Sequence, residues 1–238
     1  MKYNIVSLSV CLIILFTACV EEQRLIFQES NITTKDNAIV EINIPMASGN
    51  TKIASKINSV IENHIIKALQ SDAIDETAKI SIEESITSFN NEFINFKYDF
   101  PDSAQEWEAQ IDGEIMYQSA NVVSFALTSY RNTGGAHGNL VISFLNFNSQ
   151  TGEKILNDTL FSDLNTFKIL AEPYYKKEIE NKEVFSNNLE NFKLSKNIGF
   201  NDEGVILLYN QYEIAPYSTG IIEFTVPFES VSELLNFN

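Results

Sequence analysis

Cysteine is almost absent from this 238-residue chain. Its two cysteines, Cys11 and Cys19, both lie within the first nineteen residues. The rest of the chain therefore has no thiol for a disulfide bond or a cysteine-ligated metal site. We expect stability to come from packing instead, because hydrophobic residues make up 44% of the sequence and include 17 phenylalanines.

Histidine is equally scarce, which limits the chemistry that the chain can support. His64 and His137 are the only two histidines, and neither belongs to an H-x-H or H-E-x-x-H arrangement. The sequence has no G-x-S-x-G motif, and the glycine-rich stretch 134–138 lacks the lysine and serine or threonine of a phosphate-binding loop. We therefore predict no catalytic residue, no metal site and no cofactor.

Basic residues are outnumbered by acidic ones, 16 to 32, which gives a formal net charge of −16 at pH 7. Such a charge disfavours binding to nucleic acids and to anionic lipid surfaces. It favours a basic partner, although solubility alone is a sufficient reason for it.

The longest apolar run lies near the N-terminus, where it follows Lys2 and ends at Phe16. It is short for a membrane span and is typical of a signal peptide. The sequence from Phe16 to Cys19, Phe-Thr-Ala-Cys, resembles a bacterial lipobox with phenylalanine in place of the usual leucine. We expect residues 1–18 to be removed, Cys19 to carry the lipid anchor, and 19–37 to form anchor and tether. The alternative is an ordinary secretory peptide cut near Cys19; in either case we expect the protein in the cell envelope, periplasmic or surface-exposed.

Apolar residues at every fourth position predict two amphipathic helices. The first has its N-cap at Ser48 or Asn50. The second begins at Ser81, which forms a capping box with Glu84, and stops at Pro101. The repeat in the first helix consists of Ile53, Ile57, Ile61 and Ile65.

Alternation of apolar and polar residues predicts strands on both sides of this helical region. A strand over 38–44 should end at Pro45. Three more strands are predicted at 106–117, 123–127 and 140–144. Because short links join these three, we expect an antiparallel meander, with one link formed by the glycine-rich loop.

The strand at 106–117 has one apolar face and one acidic face. The acidic side chains are Glu106, Glu108, Asp112 and Glu114. Neighbouring like charges need water around them, so this is either a solvated strand face or a docking surface for a cationic protein.

The last third of the chain predicts one helix and three short strands. The helix covers about 162–183, with Pro173 expected to kink or break it. The strands lie at 198–200, 205–209 and 220–226. The inward side chains of the helix are predicted to be Leu164, Phe167, Leu170 and Tyr174.

The loop at 131–139 holds three of the nine glycines and one of the two histidines. Glycine lets the backbone approach a ligand or a neighbouring strand closely. His137 therefore either ties the loop together by hydrogen bonding or, alternatively, works as acid and base with nearby carboxylates in a cell-wall glycan hydrolase or a deacetylase-related enzyme. The candidate binding residues of this loop are Arg131, Asn132, Gly134, Gly135, His137, Gly138 and Asn139.

Two motifs together carry a resemblance to known exported domains. They are Asn-Thr-Gly-Gly-Ala-His-Gly-Asn at 132–139 and Tyr-Asn-Gln-Tyr-Glu-Ile-Ala-Pro-Tyr at 209–217. The combination resembles the paired domains of unknown function (DUF) of bacterial exported lipoproteins. The same pair resembles the non-catalytic part of PdaC-type peptidoglycan deacetylases and the extracellular part of the lysozyme-sensing anti-sigma factor RsiV.

The resemblance implies an α+β fold in which amphipathic helices pack on antiparallel sheets. It implies two abutting subdomains, PdaC-like over 38–150 and RsiV-like over 151–238, the second resembling a small subdomain of the Hsc70 ATPase. A non-enzymatic binding module for lysozyme or peptidoglycan is the implied function. The sequence has no counterpart of the deacetylase domain with its Asp-His-His metal set, or of a sigma-binding segment, so neither activity is expected.

Overall fold

The computed structural model describes residues 25–34, 37–70, 80–186 and 191–237. The predicted signal peptide and Cys19 lie outside these residues. The strands are β1 (Ile26–Thr34), β2 (Ile39–Ser48), β3 (Glu108–Gln118), β4 (Val122–Asn132), β5 (Asn139–Asn148), β6 (Lys154–Ile155), β7 (Asn197–Phe200), β8 (Gly204–Tyr209) and β9 (Ile222–Pro227). The helices are α1 (Thr51–Leu69), α2 (Ile82–Asp99), α3 (Leu164–Ile179) and the short α4 (Phe228–Val231). The predicted α+β class is confirmed.

The strands form two sheets, one with the order β1-β2-β3-β4-β5-β6 and one with the order β7-β8-β9. All neighbours are antiparallel except β2 and β3, which are parallel. The antiparallel meander predicted for β3, β4 and β5 is confirmed, and the parallel β2–β3 pair departs from the expected antiparallel sheets. Its cause is the long connection through α1 and α2, which returns the chain to the end of the sheet where β2 began.

The helices that cover the larger sheet begin where the sequence predicted. Asn50 caps α1, because its side-chain oxygen accepts hydrogen bonds from the Lys52 and Ile53 amides at 3.2 and 3.4 Å. Ser81 and Glu84 form the predicted capping box of α2, at 3.1 and 2.7 Å. Both caps satisfy amides that lack a partner within the helix.

One face of the larger sheet, here called the core face, packs against α1 and α2. Trp107 lies at its edge, with ring centroids of Phe89, Phe93 and Phe96 at 5.7, 5.8 and 5.5 Å. Aromatic rings at such distances add favourable contacts to their burial. The isoleucines of the α1 repeat that are buried in this core are Ile57, Ile61 and Ile65.

Two predictions for the first strands are wrong. The tether predicted over 19–37 includes β1, whose residues are mostly exposed and which is held by backbone pairing to β2. Pro45 does not end its strand. Pairing of β2 with β3 covers only Ile39–Asn43, so Pro45 lies where the strand has a single neighbour and a missing amide hydrogen is tolerated.

The smaller sheet packs against α3 around a second core. Pro173 lies inside α3 without ending it. Ile169, whose carbonyl loses its donor to this proline, is 68% exposed, so water can replace the missing hydrogen bond. The predicted inward stripe is wrong for Leu164 and Leu170, which are exposed; the buried side chains recur at every fourth position, namely Phe167, Ala171, Tyr175 and Ile179.

Candidate functional site

The second face of the larger sheet, here called the outer face, is divided into two ends. At one end the smaller sheet covers it, so that both Ser124 and Ala126 of β4 are buried. The Phe200 amide donates to the Ser124 hydroxyl at 2.9 Å, and the Asn146 amide group donates to the Ile198 carbonyl at 2.8 Å. We call this the sealed end.

Two asparagines of the smaller subdomain bind the backbone of β5 along the edge of the larger sheet. Asn197 accepts from the Phe144 amide and donates to the Ile142 carbonyl, both at 2.7 Å. Asn210 accepts from the Ile142 amide at 2.8 Å and donates to the same carbonyl at 2.9 Å. These side chains take the place of a neighbouring strand. They bind the amide and carbonyl groups of β5 that point away from β4 and would otherwise lack a partner. The two subdomains therefore abut through specific hydrogen bonds.

The other end of the outer face, here called the open end, is not covered. Its registered rows join Glu41, Gln110 and Tyr130, and then Asn43, Asp112 and Thr128. Asn43 donates to the Asp112 carboxylate at 3.0 Å. No lysine or arginine occurs in these rows, and Glu106 is exposed just before β3. The carboxylates of the open end are Glu41, Glu108 and Asp112, with Glu114 exposed opposite Ala126 at the boundary with the sealed end.

The glycine-rich loop connects β4 and β5 beside this end. Gly134 and Gly135 have φ values of 90° and 111°, which favour glycine. Asn132 shapes the turn, because its side-chain oxygen accepts from the Gly134 amide at 3.1 Å. A Cβ placed on Gly138 would lie 2.4 Å from the Tyr130 ring, so this glycine permits close contact between loop and outer face.

Three rings from the two family motifs meet at the surface, and we call them the aromatic cluster: His137, Tyr212 and Tyr217. The His137 and Tyr217 rings stack with centroids 3.9 Å apart and an interplanar angle of 16°. Tyr212 lies 5.7 Å from Tyr217, and its hydroxyl is 3.4 Å from His137 Nε2.

Tyr212 is held in an unusual backbone conformation. Its side chain is 59% exposed and its φ is 66°. Every other described non-glycine residue has a negative φ. Such a conformation costs on the order of 1 kcal/mol or more and is maintained by surrounding structure. Sequence reasoning did not connect Tyr212 and Tyr217 with His137; the only signal was that the two motifs occurred in one chain.

The hydrogen-bond partners of His137 decide what it can do chemically. Its Nδ1 lies 2.9 Å from the Gly138 carbonyl, and Nε2 faces the Tyr212 hydroxyl. Within the described part of the chain, no carboxylate is hydrogen-bonded to this ring. Burial raises the pKa of Glu213, beside Tyr212, although bonds from Asn210 oppose that shift.

Arg131 and Asn139, predicted as members of the same loop site, lie on the other side of β4 and β5. Both line a pocket beneath the end of α1 together with His64, and the Arg131 guanidinium donates to the Gln70 carbonyl. Since strand neighbours point to opposite faces, the candidate loop residues are divided between two places.

Among residues 25–34, 37–70, 80–186 and 191–237, no group of three or more His, Cys, Asp or Glu side chains is arranged to hold a metal ion. None of the helices in those ranges has the length and apolar character needed to cross a membrane.

The fold and surface define an α+β module of two subdomains. Its exposed face lies where the motifs at 132–139 and 209–217 meet. The family model described as Deacetylase PdaC matches residues 32–140, and the model described as Protein of unknown function (DUF3298) matches residues 155–229. This confirms the PdaC/DUF3298 domain pair that the sequence resemblance indicated. The pair is typical of an envelope-associated module.

Two solved structures have the same fold. A DUF3298 family member from Bacteroides fragilis is 16% identical, with a TM-score of 0.68 over 91% of this chain and 96% of that one. A DUF3298 family protein from Pseudomonas aeruginosa is 18% identical, with a TM-score of 0.59 over 90% and 94%. At these identities the likeness concerns the fold alone. No curated protein matches the chain.

Proposed function

We propose that this protein is a non-enzymatic, lipid-anchored module of the cell envelope that binds its ligand at the open end and the aromatic cluster. The observation that carries the proposal is the aromatic cluster itself. Exposed rings stack there, Tyr212 has a strained backbone conformation, and the turn that precedes His137 contains two left-handed glycines. Strain of this kind is common where a surface is preorganised for binding.

A basic protein such as lysozyme is the first ligand supported by the charges. The open end presents Glu41, Glu108 and Asp112 without a lysine or arginine in its rows, and Glu114 is exposed at its boundary. Complementary potential raises the association rate of an oppositely charged partner and makes it dependent on salt. The rings of Tyr212 and Tyr217 add surfaces on which an arginine or lysine can pack.

Peptidoglycan is the second ligand, and the stacked rings of the aromatic cluster favour it. Flat exposed side chains offer an apolar face to a sugar ring, while their polar edges remain available for hydrogen bonds. Binding to glycan would depend on these rings and little on salt. The hydrolase alternative needs a carboxylate within reach of His137, and no observed hydrogen bond supports it.

The direct test is a binding titration of the protein against hen lysozyme and against soluble peptidoglycan fragments, each at low and high salt. Lysozyme binding should weaken at high salt and when Glu106, Glu108, Asp112 and Glu114 are changed to lysine. A matched control reverses four exposed carboxylates elsewhere, Glu62, Asp158, Glu180 and Glu183. Absence of binding to both ligands overturns the proposal.

The aromatic cluster is tested separately with the double substitution Tyr212→Ala and Tyr217→Ala. Tyr98→Ala is its control, because Tyr98 is 86% exposed on α2 and belongs to neither motif. We expect the double variant to lose binding while the control keeps it. Equal binding by both would remove the cluster from the interface.

The lipid anchor at Cys19 is tested in cells. Metabolic labelling with a palmitate analogue should mark the wild-type protein and recover it in the membrane fraction. Cys19→Ser should lose both the label and the membrane association. An unlabelled wild-type protein would indicate an ordinary secretory peptide instead.

A further inference from the structure

β1 forms one edge of the larger sheet, and no strand of the described ranges pairs with its outer side. Proteins protect such edges from further pairing with short strands, lysine, proline or a β-bulge. β1 uses none of these devices. It is nine residues long, contains neither lysine nor proline, and pairs with β2 over its whole length without a shift in register. The edge is therefore open to another strand.

The hydrogen bonds of β2 show which backbone groups of β1 point to this free edge. The Ile39 amide donates to the Trp107 carbonyl beside β3 at 3.0 Å, and the Ala47 amide turns the same way, to the Asn58 side chain at 2.8 Å. Because direction alternates along a strand, the even-numbered residues of β2 bond to β1, where the register pairs even with even. The residues whose amides and carbonyls point outward are thus Phe27, Glu29, Asn31 and Thr33.

No hydrogen bond from elsewhere in the described ranges reaches these outward groups. Their arrangement is self-complementary. When Ser30 of one copy lies opposite Ser30 of a second, antiparallel copy, all nine residues of both strands pair and the outward residues face one another. Glu29 then lies opposite Asn31. The same pair of side-chain types already bonds across this sheet, where Asn43 donates to Asp112 at 3.0 Å.

Other registers fit less well. Centring the pair on Glu29 places like charges directly opposite, which is destabilising. Centring it on Asn31 leaves the start of β1 without a partner. Centring it between two residues places outward groups opposite inward ones. The single charge of β1 is therefore accommodated best by the register centred on Ser30.

We infer that two copies of this chain pair through β1, antiparallel about Ser30, so that their larger sheets form one continuous sheet. This inference is independent of the proposed function, because it uses the edge of the sheet and needs no ligand. Each copy has a formal net charge of −16, so repulsion opposes the pairing and added salt should strengthen it. Lysozyme binding has the opposite expected dependence on salt.

Disulfide crosslinking of the purified protein tests the register. Ser30→Cys places two thiols opposite each other with Cα atoms about 4.5 Å apart, within the range for a disulfide. Gln28→Cys is the control on the same exposed strand, because the register separates its two copies by about 14 Å. We expect mild oxidation to give a covalent dimer with Ser30→Cys, and not with Gln28→Cys or the wild type. Equal yields from both variants, or no dimer from either, overturn the inference.

The same oxidation in whole cells tests the identity of the partner. Ser30→Cys should again give a dimer of this chain. An adduct with a different protein in place of the dimer overturns the self-pairing and assigns the edge to a strand of that protein.

Sedimentation equilibrium at several salt concentrations measures the association itself. Asn31→Glu sets carboxylates opposite each other twice in the dimer and should weaken it on the order of tenfold. Adding Glu29→Lys to that variant brings opposite charges together and should restore the affinity. Asn91→Glu on the exposed side of α2 is the matched control. A protein that stays monomeric, or a dimer that Asn31→Glu weakens no more than Asn91→Glu does, overturns the inference.

Discussion

The two ends of the outer face are built from the same strands and differ in what covers them. At the sealed end, Ser124 and Asn146 are buried and bonded to the smaller sheet. At the open end, Asp112 and Gln110 occupy equivalent positions of the pleat and remain exposed. The same alternation of side chains therefore contributes to stability at one end and to a surface for binding at the other.

A β-bulge allows β3 to serve both ends. The register with β4 shifts between Ile115 and Tyr117. Ile115 remains with the core on the helix side, while Tyr117 joins the second core and lies 6.2 Å from the Phe200 ring. The local change of direction at a bulge re-aims side chains, and here it falls at the boundary between the two ends.

The largest effect is expected from truncation at the sealed end. Phe200 is 3% exposed and its ring contacts those of Tyr117 and Phe228. Phe200→Ala should lower the free energy of unfolding by roughly 3–5 kcal/mol, because it leaves a cavity. Denaturant titration measures this loss. The exposed control Tyr98→Ala should stay within about 0.5 kcal/mol, and equal losses would contradict the comparison.

A matched pair of asparagines sharpens the comparison further. Asn197→Ala should lower the free energy of unfolding by about 1–3 kcal/mol, since it leaves the Phe144 amide and the Ile142 carbonyl without this partner. Asn43→Ala at the open end removes a hydrogen bond to the exposed Asp112. This substitution should change the free energy of unfolding by less than about 0.5 kcal/mol. The two variants are compared by urea unfolding; a larger loss for Asn43→Ala refutes the assignment of the ends.

Gly138 links the glycine-rich loop to the outer face and should be sensitive to a single methyl group. Gly138→Ala places a Cβ 2.4 Å from the Tyr130 ring, so we expect a loss of about 1–3 kcal/mol from the required movement. A double-mutant cycle with Tyr130→Ala checks the cause. The loss should nearly vanish when the ring is removed; if it persists, the contact with Tyr130 is not its source.

The smallest effect is expected from neutralising the open end. Glu108→Gln combined with Asp112→Asn removes two carboxylates from the same strand face, where water already solvates them. We expect no measurable loss of unfolding free energy, and any gain from reduced repulsion should disappear at high salt. Thermal unfolding at two salt concentrations measures both. A marked destabilisation would mean that these carboxylates serve the fold.

Local patterns in the sequence predicted much of the secondary structure. The capping box at Ser81, the isoleucine repeat of α1 and the alternation in β3 and β4 each depend on neighbours a few residues away. β1 was missed because an exposed edge strand needs no apolar face when its backbone pairs with β2. The inward stripe of α3 was predicted correctly at Phe167 but not at Leu164 and Leu170, because apolar residues lie on more than one face of this helix and only packing selects Ala171 and Tyr175.

The candidate site was predicted in part. The glycine-rich loop was recognised as a strand connection, yet the division of its residues between two faces follows from the β4–β5 register. Tyr212 and Tyr217 reach His137 because the smaller subdomain is fixed against the larger sheet, by Asn197 and Asn210 on β5 and by the contacts of the sealed end. The contact between Tyr212 and His137 joins residues 75 positions apart and leaves no local pattern in the sequence.

By itself, the sequence determined most of the helices and strands and the acidic charge, because these depend on local spacing and composition. The α+β class and the domain pair followed from the resemblance of two of its motifs to known exported domains. The tertiary structure decided which end of the outer face is buried, which rings meet at the surface, and that Arg131 lies with His64 instead of His137. Those outcomes depend on how two subdomains pack, and packing is a property of distant residues acting together.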